Sequence, residues 1–381
     1  MVKQFLRRIL NEIHNIRGWR TRRKIIVFES DDWGSIRMPS KDVYQICLDK
    51  GYRVDRSLFS RYDSLASEED LTLLFELLLS IKDFKSNHPV LTANCLVANP
   101  DFKKIKESNF SNYFYELIPD TFSRYPKHQR CIELWNEGIR LNIFKPQSHG
   151  REHVNVSRFM KDLKDGDEDA HFAFKYEMPG IFKKNAIERG NNSIVSLEYF
   201  DGIDKIEKEL ITKEGLILFS DMFGYLSRSF IASNYIWHPD LEAILGEMGV
   251  RFVQGLKYQY IPLGDFRGFR TRYHFLGQTN KFKQIYLIRN VYFEPTLSRS
   301  GHSVLSAMRQ IETAFRWYKP AIISMHRINF VGYIDQSNRD HNLKLLNELL
   351  RGIVRKWPDV EFLSTTDLGD IIYNELIVEK S

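Results

Sequence analysis

Apolar runs rich in β-forming residues alternate with stretches of helical periodicity along most of the chain, the pattern of βαβ units feeding a parallel sheet. The first run, residues 24–30 (KIIVFES), has a wholly apolar centre that needs cover on both faces, as parallel strands receive, and it leads straight into Asp31-Asp32. Helical periodicity predicts helices near 40–50 and 68–82, the second opened by Ser67 and Asp70 in a capping-box arrangement. A strand over 90–97 and a helix around 129–137 follow, with Gly138 placed as the residue after the helix end; 139–144 then runs towards His149. Later strands are expected at 215–219, 251–253, 284–291, 321–325 and 360–363, with helices between most of them, including one bracketed by Pro239 and Gly249 and a long one at 340–356. No linker rich in Gly, Ser or Pro interrupts the series, so the expectation is a single α/β domain over 24–376 with insertions near 38–88 and 155–213, the latter the least regular part of the chain.

With 43% hydrophobic and 27% charged residues the chain is an ordinary globular protein, which excludes disordered and fibrous classes. Cys47, Cys95 and Cys131 are far apart and form no C-x-x-C pair, so neither a disulfide framework nor a cysteine zinc site is indicated. The net charge of +6 sits in one place: Lys3, Arg7, Arg8, Arg17, Arg20, Arg22, Arg23 and Lys24 face Glu12 alone, leaving the rest of the chain near −1. A nucleic-acid-binding body, which needs a stripe of cations across the fold, is therefore not expected. In the same segment Phe5, Leu6, Ile9, Leu10, Ile13 and Ile16 recur at helical spacing, so residues 1–23 read as a basic amphipathic helix, packed on the domain or docked on an anionic membrane through residues 1–24. The segment lacks the continuous apolar stretch of a secretion signal, and the expectation is a cytoplasmic protein, peripheral to the inner membrane face if the helix docks there.

Strand ends are where parallel barrels place their reacting groups, and three of them here bear metal-competent or acid/base residues. Asp31 and Asp32 follow the first strand, His149 and His153 a central one, and His326 follows 321–325. Adjacent carboxylates at a strand end point to opposite sides, so one can ligate a cation while the other takes a separate role. The four-residue spacing of His149 and His153 puts both imidazoles on one side if the segment begins a helical turn. One Asp and two His make a three-ligand set with an open position for a water to be acidified.

These residues also match a family. Ser30-Asp31-Asp32-Trp33-Gly34 resembles the Asp-Asp-Gly motif of the polysaccharide deacetylases (carbohydrate esterase family four), His149-Gly150-Arg151-Glu152-His153 resembles its second motif, and Ser324-Met325-His326 is similar to its late Leu-x-His element, in the family's order. The resemblance implies a distorted (β/α)7-type parallel barrel with helical insertions, and a metal-dependent hydrolase removing acetyl groups from a sugar or polysaccharide precursor. It implies Asp31 as general base, His326 as general acid, and Asp32, His149 and His153 as ligands of a divalent metal, usually Zn2+. Arg289 stands where the family often has an Arg that orients the base. The chain departs from the pattern at Trp33, inserted before the Gly, and at Gly150, where a Ser or Thr is usual; the Arg-Pro-Pro-Tyr element is replaced by residues 227–237. Trp33, Tyr235 and Trp237 are the candidate substrate-binding aromatics. Two other readings keep the fold: an amidohydrolase acting on a small-molecule C–N bond, and a non-catalytic carbohydrate-binding protein. A glycosidase would want a second carboxylate across the sugar ring, and none stands out.

Overall fold

The computed structural model describes residues 15–182, 184, 193–265, 267–298 and 302–378. Among them, nine parallel strands make the main sheet: β1 (Lys24–Trp33), β2 (Leu91–Cys95), β3 (Phe144–Ser148), β4 (Ser229–Ile231), β5 (Phe252–Gly255), β6 (Ile285–Ile288), β7 (Val291–Tyr292), β8 (Ala321–His326) and β9 (Val360–Leu363). Their hydrogen-bonded order is β6-β5-β4-β3-β2-β1-β8-β7, with β9 paired to the first half of β1. The two ends of this path belong to one stretch of chain, because β6 and β7 are separated only by Arg289-Asn290. At that break the Arg289 N–H donates to the Gly255 carbonyl (2.9 Å) and the Asn290 N–H to the Ile322 carbonyl (3.1 Å), which ties β5 to β8. A single broken stave thus closes the ring, and the result is a distorted parallel barrel of seven staves with β9 wedged at the base.

Alternation along β1 divides the core into an outer and an inner set. Ile26 and Phe28 pack with Leu71, Leu74, Leu346 and Leu350 from the surrounding helices. Ile25 and Val27 pack instead with Phe252, Ile285, Leu287 and Ile322 and with Leu368 and Ile372 of the last helix, Thr365–Tyr373. That helix crosses the base of the barrel, pairing Asp370 with Arg228 and Asp367 with Lys145 beside the strand starts. It sits so close that a Cβ on Gly369 would lie 2.7 Å from the Phe252 ring. Above this apolar floor the inward positions turn polar: Glu29, Asp31, Asn94, Gln147, Gln254 and Ser324 are all buried.

Several elements differ from the sequence reading. Residues 215–219 are helical, inside the long helix Gly202–Phe223, because their apolar run belongs to a helix face rather than a strand. Gly138 lies within the helix Cys131–Arg140, where a Cβ would come 2.8 Å from both Phe144 Cβ and the Phe75 ring; close packing, not a helix stop, requires glycine there. The helix Glu68–Leu79 does carry the Ser67/Asp70 capping box. Of the amphipathic segment 1–23, residues 1–14 lie outside the described residues, while 15–23 form bends rather than helix. These are tied to the barrel by Lys319 Nζ, which donates to the carbonyls of Arg17, Gly18 and Trp19 (2.6–2.9 Å). No described helix is long and apolar enough to cross a membrane.

Candidate metal centre and acid–base pair

The upper end of β1 is bent. Its register with β2 shifts between Ser30 and Trp33, and Asp32 takes a positive φ of 73°. That kink sends the two neighbouring carboxylates to different partners. Asp31 turns to the broken stave: Arg289 Nη1 and Nη2 each donate to it at 2.6 Å, and Asn94 Nδ2 donates at 2.7 Å. Asp32 turns to β3 and the loop behind it, with Oδ1 3.4 Å from His149 Nε2 and 3.5 Å from His153 Nε2.

Arg289 is fully buried and shared: its Nε donates to Glu29 at 2.6 Å, and Glu29 also accepts from Thr365 Oγ1 at 2.7 Å. Burial pushes Glu29 above the usual carboxylate range. The same burial acts on Asp31, but there the Arg289 charge and hydrogen bonds outweigh it and hold the carboxyl down at about 2. Asp31 is therefore ionised throughout the neutral range.

Asp32, His149 and His153 offer one carboxylate oxygen and two imidazole nitrogens, all within 4.8 Å of one another and all buried. The histidines converge through a loop, with Gly150 at φ 113°, and not through the helical turn that their spacing suggests; the following helix starts only at Val156. His149 Nδ1 is 2.9 Å from the Ile231 carbonyl, which can only accept, so Nδ1 is the donor there and Nε2 is the nitrogen that faces Asp32. Burial drives the His153 imidazole down to about 3, against the pull of Asp32, so it is neutral, the form a ligand needs. Donor atoms around a tetrahedral ion at roughly 2.0–2.1 Å lie roughly 3.3–3.4 Å apart, close to the separations between Asp32 and the two rings. The residues fit a divalent cation.

His326 closes the other side, its Nε2 3.8 Å from Asp31 Oδ2 and its Nδ1 2.6 Å from Glu294 Oε1. Burial alone would lower its pKa, but the Glu294 charge and hydrogen bond, followed by Asp31 and Asp32, raise it to about 10. Asn329 Nδ2 steadies Glu294 from behind at 2.7 Å. An ionised carboxylate and a protonated imidazole thus flank the triad, in a cavity of about 320 Å3 walled by Phe59, Ile181, Phe182 and Leu297.

Of the three candidate aromatics, Tyr235 lines this cavity and its hydroxyl accepts from Arg289 Nη1 at 3.2 Å. Trp33 and Trp237 do not reach it. Trp33 is 1% exposed, its ring edge-on to Phe144 and its indole N–H bonded to Ser30, because the kink at Asp32 turns it into the outer core. Trp237 is buried among Leu241, Leu245 and Val253, with its N–H towards Glu242. Glu29, Asn94 and Glu294 were missed in the sequence. Glu29 had a signal, a charge two positions before Asp31 in an otherwise apolar strand and so on the same face; Glu294 had none.

No protein-family profile matches the sequence, and no curated protein matches it. Among solved structures, the chain is similar to several named as deacetylases. A protein named as a polysaccharide deacetylase from Mycobacterium smegmatis aligns over 94% of this chain and 93% of its own, at 10% identity and TM-score 0.45. One named as a glycoside hydrolase/deacetylase from Parabacteroides distasonis aligns over 94% and 73%, at 9% identity and TM-score 0.49. Puue allantoinase aligns over 94% and 93%, at 9% identity and TM-score 0.46.

Proposed function

We propose that the chain is a metal-dependent hydrolase that removes an acetyl group from a sugar or sugar-polymer precursor. The observation that carries this is the placement of an ionised Asp31 and a protonated His326 3.8 Å apart beside the Asp32/His149/His153 triad. Asp32, His149 and His153 would hold the metal, most fittingly Zn2+ given one oxygen and two nitrogen donors. When bound it supplies Lewis acidity towards the acyl carbonyl and acidifies water. Asp31, held ionised and oriented by Arg289, accepts the proton of the attacking water, and its weak basicity would suffice for a water that a bound metal acidifies. His326, kept protonated by Glu294, gives its proton to the departing amine or alcohol. Tyr235, Phe59 and Leu297 shape the space for the sugar. The bond cleaved is the C–N or C–O bond of the acyl group, and acetate and a free amine or hydroxyl result.

Elemental analysis of the purified chain beside a His149→Ala/His153→Ala double variant is the first test, followed by assay on N-acetylated sugars and on simple amides. About one divalent ion per chain, lost in the variant, with turnover of acetylated sugars supports the reading. Turnover of simple amides alone would move it to the amidohydrolase class, and no ion after zinc or cobalt is supplied would refute it. Residues 1–24, with their surplus of cations, would bring the protein to an anionic membrane carrying lipid-linked substrate; equal pelleting with liposomes after removal of residues 1–20 would refute that part.

A further inference from the structure

Arg37 holds a charge that its neighbours answer incompletely. The guanidinium lines the catalytic cavity over the Phe59 ring (5.4 Å to the centroid), and its closest carboxylate oxygens, on Asp32 and Asp63, are 3.5 and 3.7 Å away. Its Nε is buried and makes no hydrogen bond among the described residues. Both carboxylates are shared with other groups. Asp63 receives Arg327 through Nε and Nη2 (3.0 and 3.2 Å), and Asp32 faces the two imidazoles. A cation so placed at a cavity wall is short of acceptors, and an anionic group entering the cavity would supply them.

A second observation lies on the far side of the short helix Leu58–Tyr62. That helix presents Phe59 and Ser60 to the catalytic cavity, and Arg61 to a neighbouring polar cavity of about 590 Å3. Lys41 and Lys127 also line this second cavity, and all three cations are exposed, with no ion-pair partner among the described residues. The two acids in its wall are engaged elsewhere: Glu69 pairs with Arg339 at 2.9 Å, and Asp335 caps the helix Gln336–Lys356. Tyr44 and Tyr333 complete the wall with rings and hydroxyls suited to a sugar.

We propose that the substrate is an anionic glycan. Arg37 reads a carboxylate or phosphate on or next to the acylated unit, and the charge of a further unit falls in the cavity of Lys41, Arg61 and Lys127. This rests on the hydrolase reading above and adds the substrate's charge to it. Arg37 is then a specificity-determining residue, and its contribution should weaken with salt where the contact is exposed.

The test compares kcat/KM of the zinc-supplied protein for a tetrasaccharide of N-acetylglucosamine alone and one in which alternate units are glucuronate, together with calorimetric binding of inorganic phosphate. We expect the anionic sugar to be favoured by about tenfold or more, Arg37→Gln to remove most of that ratio, and Arg37→Lys to keep part of it. Lys41→Gln/Arg61→Gln should lower the ratio by a few-fold, and phosphate should bind about tenfold more weakly to Arg37→Gln. Thermal melts check folding, and Arg37→Lys with the double variant decides the matter if Arg37→Gln does not fold. A ratio near one in the unsubstituted protein, or a ratio and a phosphate affinity untouched by the substitutions, would overturn the proposal. If neither sugar is turned over while phosphate binding still depends on Arg37, the deacetylase reading fails and anion recognition stands.

Discussion

Replacing Glu294 by Gln keeps the shape of the contact to His326 Nδ1 but deletes its charge. His326 sits at about 10, and after the burial that opposes protonation Glu294 is the largest influence on it. An opposite charge at this range shifts a pKa by about 1–3 units, so the variant imidazole should titrate between about 7 and 9. The proton is then held at pH 6 in both proteins, while at pH 9 the protonated fraction falls from about 0.9 to between about 0.5 and 0.01. If His326 is the general acid, kcat/KM in Glu294→Gln should be within a few-fold of the unsubstituted protein at pH 6 and about 2- to 100-fold lower at pH 9. The sign of the stability effect follows from the same shift. A histidine raised in the folded state contributes stability fully below its unfolded value near 6.5, and that contribution is lost as pH rises through about 10. NMR titration of the His326 ring in the chelator-treated protein reads the shift without any substrate, and Glu294→Asp should restore part of it. An imidazole whose titration does not move, or an alkaline limb of kcat/KM that stays in place while activity falls equally at all pH values, would refute the assignment.

Arg289→Met leaves Glu29 and Asp31 buried without their cation and should cost about 3–5 kcal/mol, read from urea unfolding; a loss below about 1 kcal/mol would show that water replaces the guanidinium. Zinc at about 100 times its dissociation constant should raise folding stability by about 2.7 kcal/mol, seen as a higher Tm, and His149→Ala should abolish the rise. Gly138→Ala drives a methyl against Phe144 and Phe75 and should destabilise by about 1–3 kcal/mol, with metal binding intact in the folded fraction. Trp33→Ala should cost about 3–5 kcal/mol in stability yet leave KM nearly unchanged, because the ring packs in the core; a large rise in KM at equal stability would put it back in the substrate site.

The residues of the centre were legible because chemistry at strand ends has a local signature. Asp31, Asp32 and His326 each end a readable apolar run, whereas the strand that leads to His149 is the mostly polar Phe144–Ser148 and not the expected run 139–144, of which 139–140 close a helix; the structure brings all five side chains together. A loop bent at Gly150, and not a helical turn, brings the histidine pair together. Composition could not separate an aromatic wall from an aromatic core: Trp33 and Trp237 pack in the core, while Tyr235 lines the cavity. Residues 215–219 show the ambiguity of a short apolar run, which reads as a strand until the helix on either side is seen. Glu294 contacts His326 across 32 positions and Arg289 contacts Asp31 across 258, distances at which no spacing rule operates. Arg289 was reachable only through the resemblance, and Glu294 not at all.

The broken stave also bears on how the protein comes into being. Asp31 emerges from the ribosome early, with its clamp Arg289 following 258 residues later and its partner His326 later still, and the three meet only when the staves that carry them join the first. Contacts of such sequence separation carry the entropy of closing long intervening loops, which slows folding. Until then two buried-to-be carboxylates, Glu29 and Asp31, remain hydrated at the end of an apolar strand with no cation to receive them. The candidate centre therefore depends on distant parts of the chain at once, and a nascent chain that stops short of Arg289 carries Asp32, His149 and His153 without the cation and the imidazole that face Asp31.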